Sequence, residues 1–305
     1  MLLGEYAVLR GSPALVGALN KRIEVRLSSR ADDNIVIRSA TLGEYITIRQ
    51  QLVIVPPFTF VLAALRNYQD ALTCGLDVQI TSDFSANLGL GSSAAVTVAT
   101  LSALHGFFKK KISSMVLIKE AIAVIRVVQG VGSGADVAAS VLGSVVAYQC
   151  EPLSAQTISA MPSIAVMYSG KKASTKQAVR KIMSQSEESG KQTSILTAIA
   201  QCALAGQRTL QTNDWQRLGA VCNQQQALMQ DLGVSNALLN ELVKQLQAIP
   251  TVFGAKISGA GFGDCVLAIG ELPKRYFPRD DRQARLGVQQ IDVHLGTEGV
   301  RCETV

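Results

Sequence analysis

Three glycine-rich segments hold the residue types best suited to chemistry. The first is Asn87-Leu88-Gly89-Leu90-Gly91-Ser92-Ser93-Ala94-Ala95. Gly89 and Gly91 let backbone amides approach an anion with no Cβ in the way. At the start of a helix, the amides of Gly91 to Ala94 would point outward, where the macrodipole favours phosphate. Ser92 and Ser93 add hydroxyls that can cap the helix or ligate a metal–phosphate complex. The Gly-Lys-Ser/Thr ending of the common phosphate loop is missing, and the dinucleotide fingerprint would need a glycine at Ala94. An ordinary serine-capped helix is the alternative reading.

The second segment runs from Gly130 to Ser140 and places Asp136 among Gly132, Ser133, Gly134 and Ala135. An aspartate in an apolar, glycine-rich setting is costly to bury unless paired with a cation. That suits a catalytic base or a group orienting a substrate hydroxyl. A first-turn helix aspartate is the plainer alternative. The third segment is Lys256-Ile257-Ser258-Gly259-Ala260-Gly261-Phe262-Gly263-Asp264-Cys265. Its glycines between two apolar strands exceed what a hairpin needs, so the backbone can wrap close to a ligand. Together the three segments favour a phosphate-handling enzyme.

The elements that must position these loops can be read from periodicity. Short strands are expected at Arg22–Leu27, Asn34–Arg38, Tyr45–Ile48 and Asp77–Thr81, and a helix at Phe58–Leu72. Helices follow at Ser92–Phe107, Ser113–Val128 and Ala135–Leu142, and a strand at Ser144–Gln149. Glu151–Pro162, with two prolines, is the expected boundary, dividing the chain into halves 1–155 and 156–305. The second half opens on a strand at Ile164–Tyr168. Helical patterns then cover 173–187, 193–211, 214–231 and 236–248. A strand–glycine turn–strand spans Val252–Ile269, then a helix at Asp280–Gln290 and a strand at Ile291–Leu295. The class is α+β in two halves.

Composition narrows the function. The chain has 305 residues, of which 48% are hydrophobic and 17% charged, enough to bury a sizeable core. The net charge of +6 is evenly spread, with 13 basic and 10 acidic residues up to Cys150 and 16 and 13 after it. Even spreading argues against nucleic acid and suits a small anionic substrate. The uncharged run Phe84–Phe108 is long enough to span a bilayer, but its glycine-serine start reads better as a loop feeding a buried helix. Six scattered cysteines without a CxxC pair read as reduced thiols in a cytoplasmic protein. His105 and His294 lie too far apart in sequence to suggest a zinc site or a triad.

The three segments, in this order, resemble the motifs of the GHMP kinase superfamily, and the resemblance covers nearly the whole chain. Gly4-Glu5-Tyr6-Ala7-Val8-Leu9 with Pro13-Ala14-Leu15 is similar to the family's first motif, Leu88–Ala95 to its second and Lys256–Cys265 to its third. The implied fold has an N-terminal domain like ribosomal protein S5 domain 2 and a ferredoxin-like C-terminal α/β sandwich. Within the superfamily, Tyr6, the Gln129–Ser140 segment, Ser169-Gly170-Lys171-Lys172-Ala173-Ser174-Thr175 and Asp264 resemble phosphomevalonate kinases. The acidic metal ligand of mevalonate kinases falls at Ile125, which cannot bind Mg²⁺.

The resemblance implies ATP- and Mg²⁺-dependent phosphoryl transfer to phosphomevalonate, with mevalonate as the alternative acceptor and an impaired binding protein as a second alternative. Asn87, Gly89, Leu90, Gly91, Ser92, Ser93 and Ala94 would hold the nucleotide, and Ser92 or Ser93 the metal. Asp136 would receive or orient the acceptor proton. Glu5, Tyr6, Ser133, Gly134, Lys171, Lys172, Ser174, Thr175, Ser258, Gly259, Ala260 and Gly261 would bind the acceptor. Lys171-Lys172 also fits a solvated turn. No nucleic acid or membrane partner is implied, and the assembly would be a monomer or homodimer. The family's Pro-Gly-Lys strand would precede Gly4, so a start assigned too late is expected, with a truncated chain or an impaired protein as the alternatives. Phe262 stands where the third motif has a glycine, and Ser85 and Ala86 replace a proline before the second.

Overall fold

The structure, a computed structural model, describes residues 1–185 and 190–304. In chain order its main elements begin with β1 (Ala14–Gly17), β2 (Ile23–Arg30), β3 (Asn34–Ser39), β4 (Gly43–Ile48), α1 (Thr59–Arg66) and β5 (Gly75–Ser82). Next come α2 (Ser92–Phe107), α3 (Ser114–Gln129), α4 (Ala135–Leu142), β6 (Val145–Cys150), β7 (Leu153–Ile158), β8 (Ile164–Tyr168) and α5 (Thr175–Gln185). The chain closes with α6 (Gly190–Gln211), α7 (Trp215–Asp231), α8 (Ala237–Gln247), β9 (Val252–Ser258), β10 (Cys265–Gly270), α9 (Asp281–Arg285) and β11 (Gln289–Ile291).

The chain forms two compact units. One comprises Lys21–Ala86, Gly91–Leu142 and the residues from Gly299 on. Its sheet has the order β2-β5-β3-β4, with β3 parallel to β5 and the other pairs antiparallel. Helix α2 packs beside β2 and against α1, α3 and α4. It is apolar nearly all round, as a helix buried among others must be. Even Thr97 and Thr100 are buried, their hydroxyls donating back to the carbonyls of Ser93 and Val96 at 2.7 Å. Helix α3 begins where Ser113 accepts the amide of Val116 and ends at left-handed Gly130, whose amide donates to Arg126.

The other unit comprises Met1–Asn20, Asn87–Leu90 and Gly143–Glu298. It holds two antiparallel sheets, β1-β6-β7 and β11-β8-β10-β9. Met167, Ile257, Val266, Ala268, Leu239 and Leu242 form part of the core between the second sheet and its helices. Strand β9 is an edge. Asn223 and Gln226 of α7 cap its outward amides, accepting from Ala255 and Ile257 at 2.9 and 2.8 Å. Such side-chain caps close a sheet edge against pairing with another chain.

Several expected elements change. The stretch Glu151–Pro162, read as a boundary, contains β7, which pairs along its length with β6 inside one unit. Its polar residues face outward on an edge strand, so it mimics a linker. The helix expected over Phe58–Leu72 stops at Arg66, followed by a separate turn at Gln69–Ala71. The helix expected over Asp280–Gln290 ends at Arg285, because Gly287 takes a left-handed turn and Gln289–Ile291 joins β8 as β11. Helix α5 spans Thr175–Gln185, and residues 186 and 187 of the expected helix lie outside the described residues. The uncharged run splits as expected, with α2 starting only at Ser92. Among the described residues no helix is long and apolar enough to cross a membrane.

Candidate active site

In the first unit the site is built on the start of α2. Gly91 is its N-cap, in the left-handed conformation with φ 81°, and no side chain caps the first turn. The opening amides of this 16-residue helix therefore keep their donors for another acceptor. Asp136, exposed in the first turn of α4, sits beside this turn: a Cβ built on Gly91 would lie 3.8 Å from the Asp136 carboxylate. Ser133 accepts the amide of Ala135, the first residue of that helix, at 3.3 Å, and Gly134 precedes it with φ 87°. Ser92 donates weakly to the carbonyl of Ala86 at 3.4 Å. Ile125 is buried on α3, and its Cγ2 would meet a Cβ on Gly132 at 3.4 Å. Among the described residues there is no cluster of three acidic, histidine or cysteine side chains able to hold a metal. The Ser92 or Ser93 hydroxyl does fit Mg²⁺, which needs only one or two protein oxygens when phosphate oxygens and waters complete its shell.

In the second unit Asn87, Leu88, Gly89 and Leu90 precede that turn. Gly89 has φ 69° and lies against Asp264, so an added Cβ would come within 2.9 Å of its carboxyl. Cys265 donates to the carbonyl of Leu88 at 3.1 Å, while Leu90 packs on the core. Burial lifts the Cys265 thiol to about 12, which keeps it protonated and inert.

The first and third motifs meet inside this unit. Glu5 is 2% exposed and Lys256 fully buried, and the Lys256 ammonium donates to Glu5 and to the carbonyl of Ile257. The Gln225 amide donates to the other Glu5 oxygen, and Gly259 donates to the first at 3.3 Å. Gln225 in turn accepts the amide of Gly4 at 3.0 Å. Both oxygens of Glu5 are thus engaged within the protein, so its place is behind the glycine loop. Tyr6 is also buried and donates to the carbonyl of Ala260; burial, and then Glu5, raise its pKa above the usual tyrosine range. Ser258 donates to the carbonyl of Met1 at 2.9 Å. Gly261 is held by backbone packing, since a Cβ there would lie 2.3 Å from the carbonyl of Val234. Gly259 borders open space. Lys171, Lys172, Ser174 and Thr175 are exposed, and Ser174 caps α5 by accepting the amide of Gln177 at 3.3 Å.

The side-chain partners of Glu5 were not among the expected site residues. Gln225, and the pairing of Lys256 with Glu5, carried no local signal, because Glu5 is 220 and 251 residues away from them.

The model of the GHMP kinases N terminal domain matches residues 59–144, and that of the GHMP kinases C terminal matches 207–286. The mevalonate kinase of Archaeoglobus fulgidus is 31% identical over 281 residues, covering 91% of this chain and 92% of the relative. That of Thermococcus sibiricus is 28% identical, covering 100% and 96%. The fold is shared with a Lin0012 protein from Listeria innocua, at a TM-score of 0.83, 24% identity and coverage of 97% and 95%. A Streptococcus pneumoniae phosphomevalonate kinase in complex with phosphomevalonate and AMPPNP shares it at 0.76, 19% identity and 96% of each chain. The chain belongs to the GHMP kinase superfamily and has its two-domain fold.

The expected acceptor needs correction. The full-length relatives at 27–31% identity carry the name mevalonate kinase, against the phosphomevalonate reading. Three of the residues that had favoured phosphomevalonate have packing or hydrogen-bond partners within their own unit. Tyr6 is buried with its hydroxyl on Ala260, Asp264 is bonded to the amide of Ala173, and Ile125 packs against Gly132.

Proposed function

We propose that this chain transfers the γ-phosphoryl group of ATP to a hydroxyl of mevalonate. The observation that carries the acceptor is the full-length likeness to archaeal mevalonate kinases, 31% identical at 91% coverage in one case. Superfamily members use ATP, usually with Mg²⁺, and the start of α2 suits the phosphates. Its uncapped amides and dipole stabilise negative charge as it develops. Gly89 and Gly91 keep this turn free of side chains. Mg²⁺, held by the Ser92 or Ser93 hydroxyl together with phosphate oxygens and waters, would neutralise phosphate charge.

The chemistry needs positioning more than covalent participation. As the acceptor oxygen bonds to the γ-phosphorus and the bond to the ADP oxygen breaks, the hydroxyl proton passes to the Asp136 carboxylate. The exposure of Asp136 beside the phosphate-binding turn suits that role. Lys171 and Lys172 carry the positive charge suited to the acceptor's carboxylate, while Ser133 and Gly134 shape the Asp136 loop. Glu5 and Lys256 support the Gly259–Gly261 loop from beneath.

Phosphorus NMR of a reaction with ATP, Mg²⁺ and mevalonate tests the reading. A new phosphate monoester accompanying ADP is expected. ADP with inorganic phosphate alone would refute it.

A further inference from the structure

Asp264 has a conformation and a burial that a glycine would tolerate better. Its φ is 56°, a left-handed value that strains any residue with a Cβ. It is 8% exposed, and burial pushes its carboxyl pKa up, against the opposing pull of the Ala173 amide and of Lys172. Strain and desolvation both act against an aspartate here. The side chain's return lies in what it holds.

Three bonds tie Asp264 to one segment. Its amide donates to the carbonyl of Lys171 at 2.7 Å, its carbonyl accepts from Ser169 at 2.8 Å, and its Oδ1 accepts from Ala173 at 3.1 Å. Ser169 closes the turn by donating to the carbonyl of Lys171 at 3.3 Å. The next-door Gly263 leaves room for this packing, since a Cβ there would lie 2.5 Å from the Lys171 carbonyl. The first two bonds use backbone and would survive any side chain. The third is made by the carboxylate alone, at the residue that follows Lys171 and Lys172.

We propose that Asp264 is a positioning residue for the acceptor, its carboxylate fixing the turn that presents Lys171 and Lys172. This rests on the kinase reading above. A hydrogen bond from a backbone amide to a charged group is strong and short-ranged. Without it Ala173 is released and the lysines lose their fixed frame. The effect belongs on acceptor binding, because the carboxylate's bond is to the segment that carries the two lysines.

The test compares Asp264→Gly with Asp264→Asn. The asparagine keeps an oxygen for the Ala173 amide and drops the charge. Asp264→Gly should raise the KM for mevalonate about tenfold, equivalent to about 1.4 kcal/mol, with kcat within about twofold. Asp264→Asn should restore a KM within about threefold of wild type. Amide hydrogen exchange on the substrate-free protein should show Ala173 protected in wild type and Asp264→Asn and exposed in Asp264→Gly. That readout needs no turnover, so a failed kinase reading leaves it intact. An unchanged KM in Asp264→Gly overturns the proposal. If the glycine variant does not fold, an unprotected Ala173 amide in wild type, or a tenfold rise in KM for Asp264→Asn, overturns it as well.

Discussion

Replacing Lys256 by methionine would leave the Glu5 carboxylate in the interior without its cation. The two side chains are 0% and 2% exposed, so water cannot screen the loss. Methionine fills a similar volume, which removes packing as the main cause. The remaining amides of Gln225 and Gly259 support the carboxylate only in part. The cheapest escape is for Glu5 to take a proton. A glutamic acid in water titrates near 4.3, so protonating it at pH 7 costs about 3.7 kcal/mol. That agrees with the usual loss of about 3–5 kcal/mol when one partner of a buried pair is removed. At pH 5 the same protonation costs about 1 kcal/mol.

The sign follows from proton counting. In the variant, the folded chain binds a proton that the unfolded chain releases at pH 7, so its stability falls as pH rises from 5 to 7. Trp215, the single tryptophan, lies on α7 in the same unit and reports the transition. Urea unfolding followed by its fluorescence should show a deficit against wild type of about 4 kcal/mol at pH 7, shrinking to about 1–2 at pH 5. Adding Glu5→Gln to Lys256→Met should recover most of the deficit, because no charge is then stranded. A deficit under about 1 kcal/mol at pH 7, or one independent of pH, would refute the reasoning.

Three further expectations are independent of that pair. Asp136→Asn should lower kcat by about 10²–10⁴ while nucleotide affinity, read by calorimetry, stays within about threefold; near-normal turnover would remove Asp136 from the proton path. Gly219→Ala should destabilise the chain by more than about 2 kcal/mol in urea despite alanine's better helix propensity, because its Cβ would lie 2.3 Å from the Phe253 backbone. Cys302 is exposed and should react with maleimide at pH 8, whereas Cys222 and Cys265, whose thiols burial lifts to about 12, should stay unmodified until the chain unfolds. Labelling followed by peptide mass analysis reads the order.

Much of the scaffold was legible because its signals are local. Helix α2 starts where a Gly-Ser turn meets an apolar run, and α3 lies between Ser113 and Gly130. The glycine segments stood out because close backbone approach leaves few other residue types possible. Strands β1 and β7 were missed: one is only four residues long, the other polar and flanked by prolines. Their pairing with β6 depends on residues far along the chain. The acceptor was misread for a related reason. Tyr6 and Ile125 looked like choices about substrate, yet each packs against a neighbour in its own unit that sequence does not display. Asp136 was legible as a chemical group, whereas its approach to Gly91 became visible only in the fold.

The acceptor remains the central claim, and parallel kinetics decide it most directly. ADP release is measured with purified chain, MgATP and either mevalonate or phosphomevalonate, with Asp136→Asn as the control. The expected result is a kcat/KM for mevalonate at least about a hundredfold above that for phosphomevalonate, abolished in the variant. Turnover with phosphomevalonate and none with mevalonate would contradict it.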